Sequence, residues 1–262
     1  TFKFKKQSLC KQLGIKYKSL PKTPPKFEPI STSSIINSIL TPNDAPMRVD
    51  LAGGWLDAPT HSRDDGFIVN CAISPKVSLT KWPYEKQSGL GGSGAWALLN
   101  GKDGVASELE MGVGWQDPAV IKETGLCVWE SGKLPRLSFK RNGDLLKGRM
   151  AIQYTGNQHN TPAYCSYERD YNSLARASRI AATGVQNNDL KLLCDGINLN
   201  YEVQIKEGMK ELTEVKTAIA KKYCGGGYGG YSVYIFYNNS ERDSFVENTS
   251  NTLKIEPYIN EH

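Results

Sequence analysis

No apolar run in these 262 residues approaches the roughly 20 needed to cross a bilayer, so no membrane span is expected. The opening residues TFKFKKQSLC lack the apolar core of a secretory leader, and none is read there. A C-x-x-C pair is missing as well. The six cysteines (Cys10, Cys71, Cys127, Cys165, Cys194 and Cys224) are scattered, which argues against a zinc site and against a disulfide framework. Reduced thiols in a cytoplasmic protein are the expectation. Internal repeats are absent too. The net charge is only +5, and much of it sits on Lys3, Lys5, Lys6, Lys11, Lys16, Lys18, Lys22 and Lys26. No arginine–aromatic interleaving accompanies this run, so it reads as a solvated extension and no nucleic-acid partner is expected.

What is present is ordinary globular material, 39% hydrophobic and 23% charged, enough for one large domain or two small ones. Residues 1–42 form a basic, proline-containing extension, with a short serine-capped helix expected in STSSIINSIL. In MRVDLAGG, polar and apolar residues alternate before a glycine turn, a strand signal. GFIVNCAIS, KVSLTKW, LCVWES and RLSFKRNGDLLKG are further strand candidates, and ALLNGKDGVASELEMG is helical but broken by glycines. From residue 149 the pattern changes. RMAIQYTG reads as a strand and ERDYNSLARASRIAATGV as a long helix ended by Gly184. A second helix follows with Asn188 as its cap, and ELTEVKTAIAKKY reads as a third. YSVYIFY is a strand, and NTLKIEPYINEH supplies an edge strand. The order implies an α+β fold with units at 43–148 and 149–262.

Three glycine-rich junctions carry the chemistry: residues 45–59 (APMRVDLAGGWLDAP), 88–99 (SGLGGSGAWALL) and 224–236 (CGGGYGGYSVYIF). The second runs straight into a helix. Glycines there let the backbone approach a ligand, and unpaired N–H groups at a helix start favour an anion. It is neither a G-x-x-x-x-G-K-S/T loop nor a dinucleotide fingerprint. Ser93 stands where a hydroxyl can reach a phosphate-bound Mg²⁺. In the first junction Asp57, in a turn at a strand end, either accepts hydrogen bonds from sugar hydroxyls or merely ties its own backbone. Arg48, Asp50, Trp55, His61 and Asp64 around it favour a polar pocket with an aromatic wall, although His61 taken alone reads as a loop histidine. Asp117, in GVGWQDPAV, is a candidate to accept a hydroxyl proton during phosphoryl transfer. Glu108 or Glu110 would complete a Mg²⁺ shell with Ser93.

Together these segments resemble the GHMP kinases (galactokinase, homoserine kinase, mevalonate kinase and phosphomevalonate kinase), closest to the branch of fucokinase and D-glycero-D-manno-heptose 7-phosphate kinase. Residues 48–59 match its R-V-D-x-x-G-G-W-x-D-x-P motif, Gly89 to Ala95 its second motif, and Val113 to Pro118 its G-G-W-Q-D-Q segment. Tyr154-Thr155-Gly156 matches a strand, and Gly225 to Tyr231 the glycine-rich third motif.

The resemblance implies a two-domain fold, with an N-terminal domain like the second domain of ribosomal protein S5 and a ferredoxin-like C-terminal domain. It implies ATP with Mg²⁺ as cofactors, ATP phosphates on Gly89, Leu90, Gly91, Gly92, Ser93, Gly94 and Ala95, and Asp117 as base. Arg48, Asp50, Gly54, Trp55, Asp57, His61, Gly227 and Gly229 would form the substrate side, and the third motif would pack under the phosphate loop. The implied activity is phosphorylation of a hydroxyl of a fucose-like hexose or heptose phosphate. The alternative is a non-catalytic sugar- or nucleotide-binding protein of that fold.

Several positions depart from the pattern. Gly92 replaces a hydroxyl residue, Tyr228 replaces a glycine and Pro118 replaces glutamine. Gln158-His159-Asn160 stands where an arginine is usual. The connection from Ser74 to Ser88 is much shorter than in relatives, which place several strands there.

Overall fold

Strands account for most of the organisation, and the computed structural model describes them within residues 42–158 and 169–260. The strands are β1 (Ala45–Ala52), β2 (Phe67–Val77), β3 (Leu126–Glu130), β4 (Arg136–Arg141), β5 (Met150–Tyr154), β6 (Ala218–Tyr223), β7 (Tyr231–Phe236) and β8 (Thr252–Pro257). They form a single antiparallel sheet in the order β4-β3-β2-β8-β5-β7-β6, with β1 paired to the other edge of β2. The helices are α1 (Gly92–Leu99), α2 (Gly104–Glu110), α3 (Gln116–Glu123), α4 (Tyr171–Asn187), α5 (Leu190–Lys206) and α6 (Asn239–Asn248). The expected α+β class is what the structure has. Readings made for residues 1–41 and for His159 and Asn160 lie outside the described residues, as do Cys10 and Cys165. Cys71, Cys127, Cys194 and Cys224 are free and buried.

One core runs along the sheet, from Met47, Val49 and Leu51 on β1 to Ile152 on β5 and Val233 and Ile235 on β7, covered by Ala181, Val185, Leu193 and Ile197 of α4 and α5. Leu174, Ser178, Ala181 and Val185 recur at helical spacing and form one buried stripe of α4, with Ala181 and Val185 in that core and Leu174 in a neighbouring cluster with Leu56, Trp115 and Trp129. Asp170 and Asp189 cap the two helices by accepting from Ser173 N and Leu192 N. On the opposite face Tyr234, Phe236 and Phe245 build a second cluster with Leu212 and Val215.

Several expectations are corrected. ELTEVKTAIAKKY is not a helix: residues 210–217 are irregular, and Ala218–Tyr223 is β6. Ladder bonds to β7 and the packing of Leu212 and Val215 on its aromatics outweigh helical propensity there. The strand near residue 255 is no edge. β8 lies inside the sheet, between β2 and β5. KVSLTKW contributes only Lys76 and Val77, as the end of one long β2. Gly184 does not end α4, which runs to Asn187 and stops at Asn188 in the left-handed conformation. Asp189, not Asn188, caps α5. No helix is assigned from sequence at α3 or at α6.

The short α4–α5 connection brings the two helix backbones unusually close. A Cβ on Gly196 would lie 2.6 Å from Ala181 N and 2.7 Å from Ala177 O. Helix propensity alone would make alanine more stable by about 1 kcal/mol there. The crowding reverses that sign, and Gly196→Ala is expected to destabilise by about 1–3 kcal/mol in urea unfolding. A gain in stability would contradict this packing.

Candidate active site

β1 is buried along its whole length. Its alternation sends Met47, Val49 and Leu51 to the core and Arg48 and Asp50 to the opposite face. Two buried charges on one strand require partners. Arg48 Nε donates to Asp117 Oδ1 at 2.6 Å, and its guanidinium also donates to Gly89 O at 2.7 Å and reaches Asp50 Oδ1 at 3.5 Å. Burial opposes the guanidinium charge, but Asp117 and Asp50 outweigh it and hold its pKa above the ordinary arginine value. Asp50 in turn accepts from Lys222 Nζ and, at 2.7 Å, from Gly225 N.

Two helix N-termini converge on this charge set. α1 starts after Gly91, which is left-handed at φ 76° and supplies no side-chain cap. A Cβ at Gly91 would meet Arg48 Cγ at 2.9 Å, so glycine is what lets the arginine pass beneath the loop. α3 starts at Gln116 with Asp117 in its first turn, where a carboxylate is favoured by the helix dipole. Pro118 falls in that same first turn, where its missing N–H costs nothing, and it packs on Gly94 of α1.

Between these elements lies a cleft whose walls include Arg48, Gly54, Trp55, Asp57, Ser93, Glu108, Gly114, Gln116, Asp117, Gly225 and Gly226. Asp57 accepts from Gln116 N at 3.0 Å and from Gln116 Nε2 at 3.3 Å. A Cβ at Gly114 would sit 1.8 Å from Asp57 Oδ2, so only glycine admits this carboxylate. Burial pushes Asp57 up to about 6 against the Gln116 hydrogen bond. Ser93 Oγ donates to Glu108 Oε1. Burial first, and the Asp117 charge second, push Glu108 up to about 7. Trp55 carries the Arg169 guanidinium 4.0 Å from its ring, and Arg169 Nε lies 3.4 Å from Glu207 Oε2.

The expected site residues therefore separate into groups. Arg48, Gly54, Trp55, Asp57, Ser93, Glu108 and Asp117 share the cleft; of the loop from Gly89 to Ala95 only Ser93 is among its walls, while Gly89 O accepts from the Arg48 guanidinium. Asp50 lies beneath it, 1% exposed. Glu110 is exposed on α2 and is not part of the cleft wall, in contrast to Glu108 beside Ser93. His61 stacks on Tyr171, with ring centroids 4.7 Å apart, and Asp64 is exposed; neither lines the cleft. Gly227 faces Met209, and Gly229 faces Gln158 O, where added Cβ atoms would fall at 2.3 and 2.5 Å. Gly225 and Gly226 reach the cleft in their place.

The third loop also abuts the second. Tyr231 N donates to Ser88 O at 2.8 Å, and Gly230 approaches that carbonyl too closely for a side chain. Tyr228 avoids crowding it by turning outward, its hydroxyl donating to Glu207 O at 2.6 Å.

Gln116, Gly114 and Lys222 were missed by sequence reasoning. Lys222 had a usable signal. Read as a strand, AIAKKY places Lys222 on the buried side with Ala220; read as a helix, it is one more surface lysine. Among the described residues no three His, Cys, Asp or Glu side chains group as a metal cage. Mg²⁺, which uses one or two carboxylates with substrate phosphates and water, is compatible with Ser93 and Glu108 alone.

No protein-family model and no curated protein matches the chain. Solved structures do. The Methanococcus jannaschii mevalonate kinase superposes with TM-score 0.63 at 12% identity, over 82% of this chain and 98% of that one. The L. major mevalonate kinase in complex with R-mevalonate gives 0.59 at 15%, over 82% and 94%. A D-glycero-D-manno-heptose 1-phosphate kinase from Bacteriodes thetaiotaomicron gives 0.56 at 14%, over 82% and 95%. The fold is that of the GHMP kinases.

The two raised carboxyls fix a sign for pH dependence. Asp57 and Glu108 bind protons more tightly folded than unfolded, where values near 3.9 and 4.3 apply. The folded state therefore holds more protons between about pH 4 and 7, and stability falls as pH rises through that window. Urea unfolding at pH 5 and pH 8 is expected to show a loss of about 2 kcal/mol or more in the wild type and a clearly smaller loss in Glu108→Gln. Equal losses in the two proteins would remove Glu108 as a source.

Proposed function

We propose that this chain is a small-molecule kinase that transfers the γ-phosphoryl group of ATP to a hydroxyl of a fucose-like hexose or a heptose phosphate. Residues 43–148 and 149–262 serve as its two domains and the cytoplasm as its compartment. The observation that carries the reading is the position of Asp117. It is held by Arg48 Nε at 2.6 Å and is 21% exposed. It faces a cleft bounded by the uncapped start of α1 and by the Ser93–Glu108 pair.

Each group has a task in that reaction. The α1 N-terminus supplies N–H donors and a positive dipole end to the ATP phosphates. Ser93 and Glu108 hold Mg²⁺, which neutralises charge on phosphoryl oxygens when bound. Asp57 accepts hydrogen bonds from acceptor hydroxyls, and Gln116 keeps its carboxylate in place. Asp117 accepts the proton of the attacking hydroxyl and orients it. Positioning and electrostatics supply most of the acceleration, as expected for phosphoryl transfer.

The nucleobase side is shorter than the fold usually provides. Residues 78–91 form no strand or helix between β2 and α1. Trp82 stands in that connection, 37% exposed, its ring edge 3.5 Å from where a Gly92 Cβ would be. Trp82 is proposed as the stacking surface for the base. The same shortness supports the second reading, a non-catalytic sugar- or nucleotide-binding protein.

Phosphoryl transfer over a panel of hexoses and heptose phosphates tests the first reading. Asp117→Asn is expected to lower kcat about 10²–10⁴-fold with little change in KM for ATP. Unchanged turnover would sink the assigned base. In a thermal-shift series, stabilisation by sugars with no response to ATP–Mg²⁺ would favour the binder.

ATP is further expected to quench tryptophan fluorescence. Trp82→Ala should abolish most of the quench and weaken ATP by roughly 3–10-fold, the worth of one aromatic stack. A full quench in that variant would place the base elsewhere.

A further inference from the structure

Beneath the cleft four charged side chains are linked into one balanced chain of contacts: the buried Arg48 and Asp50 on β1, the buried Lys222 on β6, and the partly exposed Asp117 on α3. Lys222 is fully buried, and its Nζ donates to Asp50 Oδ2 and, at 3.0 Å, to Asp50 O. Asp50 also takes the Gly225 N–H at 2.7 Å, which leaves Arg48 NH1 only a long 3.5 Å contact with it. Arg48 Nε is thereby left to Asp117 at 2.6 Å. One guanidinium stands between two carboxylates, and the division depends on which carboxylate is already satisfied.

We infer that Lys222 is a positioning residue for Asp117. By satisfying Asp50 it keeps Arg48 on Asp117, and through Asp50 it also holds Gly225 at the cleft wall. Burial decides what happens without it. Asp50 is 1% exposed and cannot turn to water, whereas Asp117 is 21% exposed and can. An unpaired charge is costlier the deeper it lies. With the Lys222 charge removed, Arg48 therefore swings to Asp50 and abandons Asp117. With Lys222 and Asp50 neutralised together, the remaining pair, Arg48 and Asp117, is balanced again and stays joined. The effect on rate rests on the reading of Asp117 as base; the effect on Arg48 does not.

The test compares the full chain with Lys222→Met and with Lys222→Met/Asp50→Asn. The Arg48 Nε–H resonance, assigned through Arg48→Lys, is followed by ¹H–¹⁵N NMR for its exchange with solvent. It is expected to be protected in the wild type, lost or fast-exchanging in Lys222→Met, and protected again in the double variant. In phosphoryl transfer, Lys222→Met should lower kcat about 100-fold, the low end of what a positioned base contributes. KM for ATP and acceptor should stay within about threefold, and the double variant should recover at least tenfold in kcat.

An Arg48 Nε–H unchanged in Lys222→Met, or a double variant no better than the single one, would overturn the inference. Should Lys222→Met fail to fold, the double variant decides: a folded protein with protected Arg48 Nε–H supports the inference, and an unprotected one overturns it. A wild type with protected Arg48 but no turnover would count against the kinase reading while leaving the positioning role intact.

Discussion

An arginine and an aspartate buried two residues apart on one strand oblige the rest of the site to come to them. Neither Arg48 nor Asp50 reaches water, so each charge had to be met by folded neighbours. The partners come from distant parts of the chain: Gly89 from the loop before α1, Asp117 from α3, Lys222 and Gly225 from the end of β6. Buried pairs of this kind add little net stability compared with apolar packing, but leaving one partner alone is costly. Their effect is therefore on geometry. The second and third glycine-rich junctions and the start of α3 are drawn to the first because two side chains of β1 need what those segments carry.

This explains why some of the site was legible in the sequence and some was not. Glycine junctions announce themselves by composition, so Gly89 to Ala95 and the turn holding Asp57 stood out. Asp117 stood out by its local setting, although the helix it begins did not. An eight-residue helix preceded by tryptophan at its N-cap, with proline in its first turn, offers too little periodicity to see. Lys222 and Gln116 act through contacts made only after folding. Nothing in a neighbouring triplet shows that a lysine will be sealed against a carboxylate 172 positions away.

The misreadings have a common physical origin. ELTEVKTAIAKKY has good local helix propensity, yet a free strand edge on β7 and an aromatic cluster over the sheet outbid it. In NTLKIEP only Ile255 is fully buried, and a stretch with so few apolar residues reads as an edge from sequence alone. Its central place depends on β2 and β5 both lacking a neighbour. Gly227 and Gly229 were attributed to a ligand, whereas Met209 and the Gln158 carbonyl already account for their lack of side chains. The likeness to solved mevalonate and heptose-phosphate kinases at 12–15% identity lies in the fold, not in residue-level detail.

The central position of β8 has a consequence for how the protein is made. Ser74 on β2 pairs with Glu256 on β8, so the ribosome must produce nearly all of the intervening chain before that edge is closed. At roughly 5–20 residues per second the wait is about ten to forty seconds. During it the edge of β2, and from residue 154 onward that of β5, stands open to any extended segment that meets it. The nascent chain is thus at its most aggregation-prone late in synthesis, and the cell's means of shielding it matter most just before residue 257 emerges.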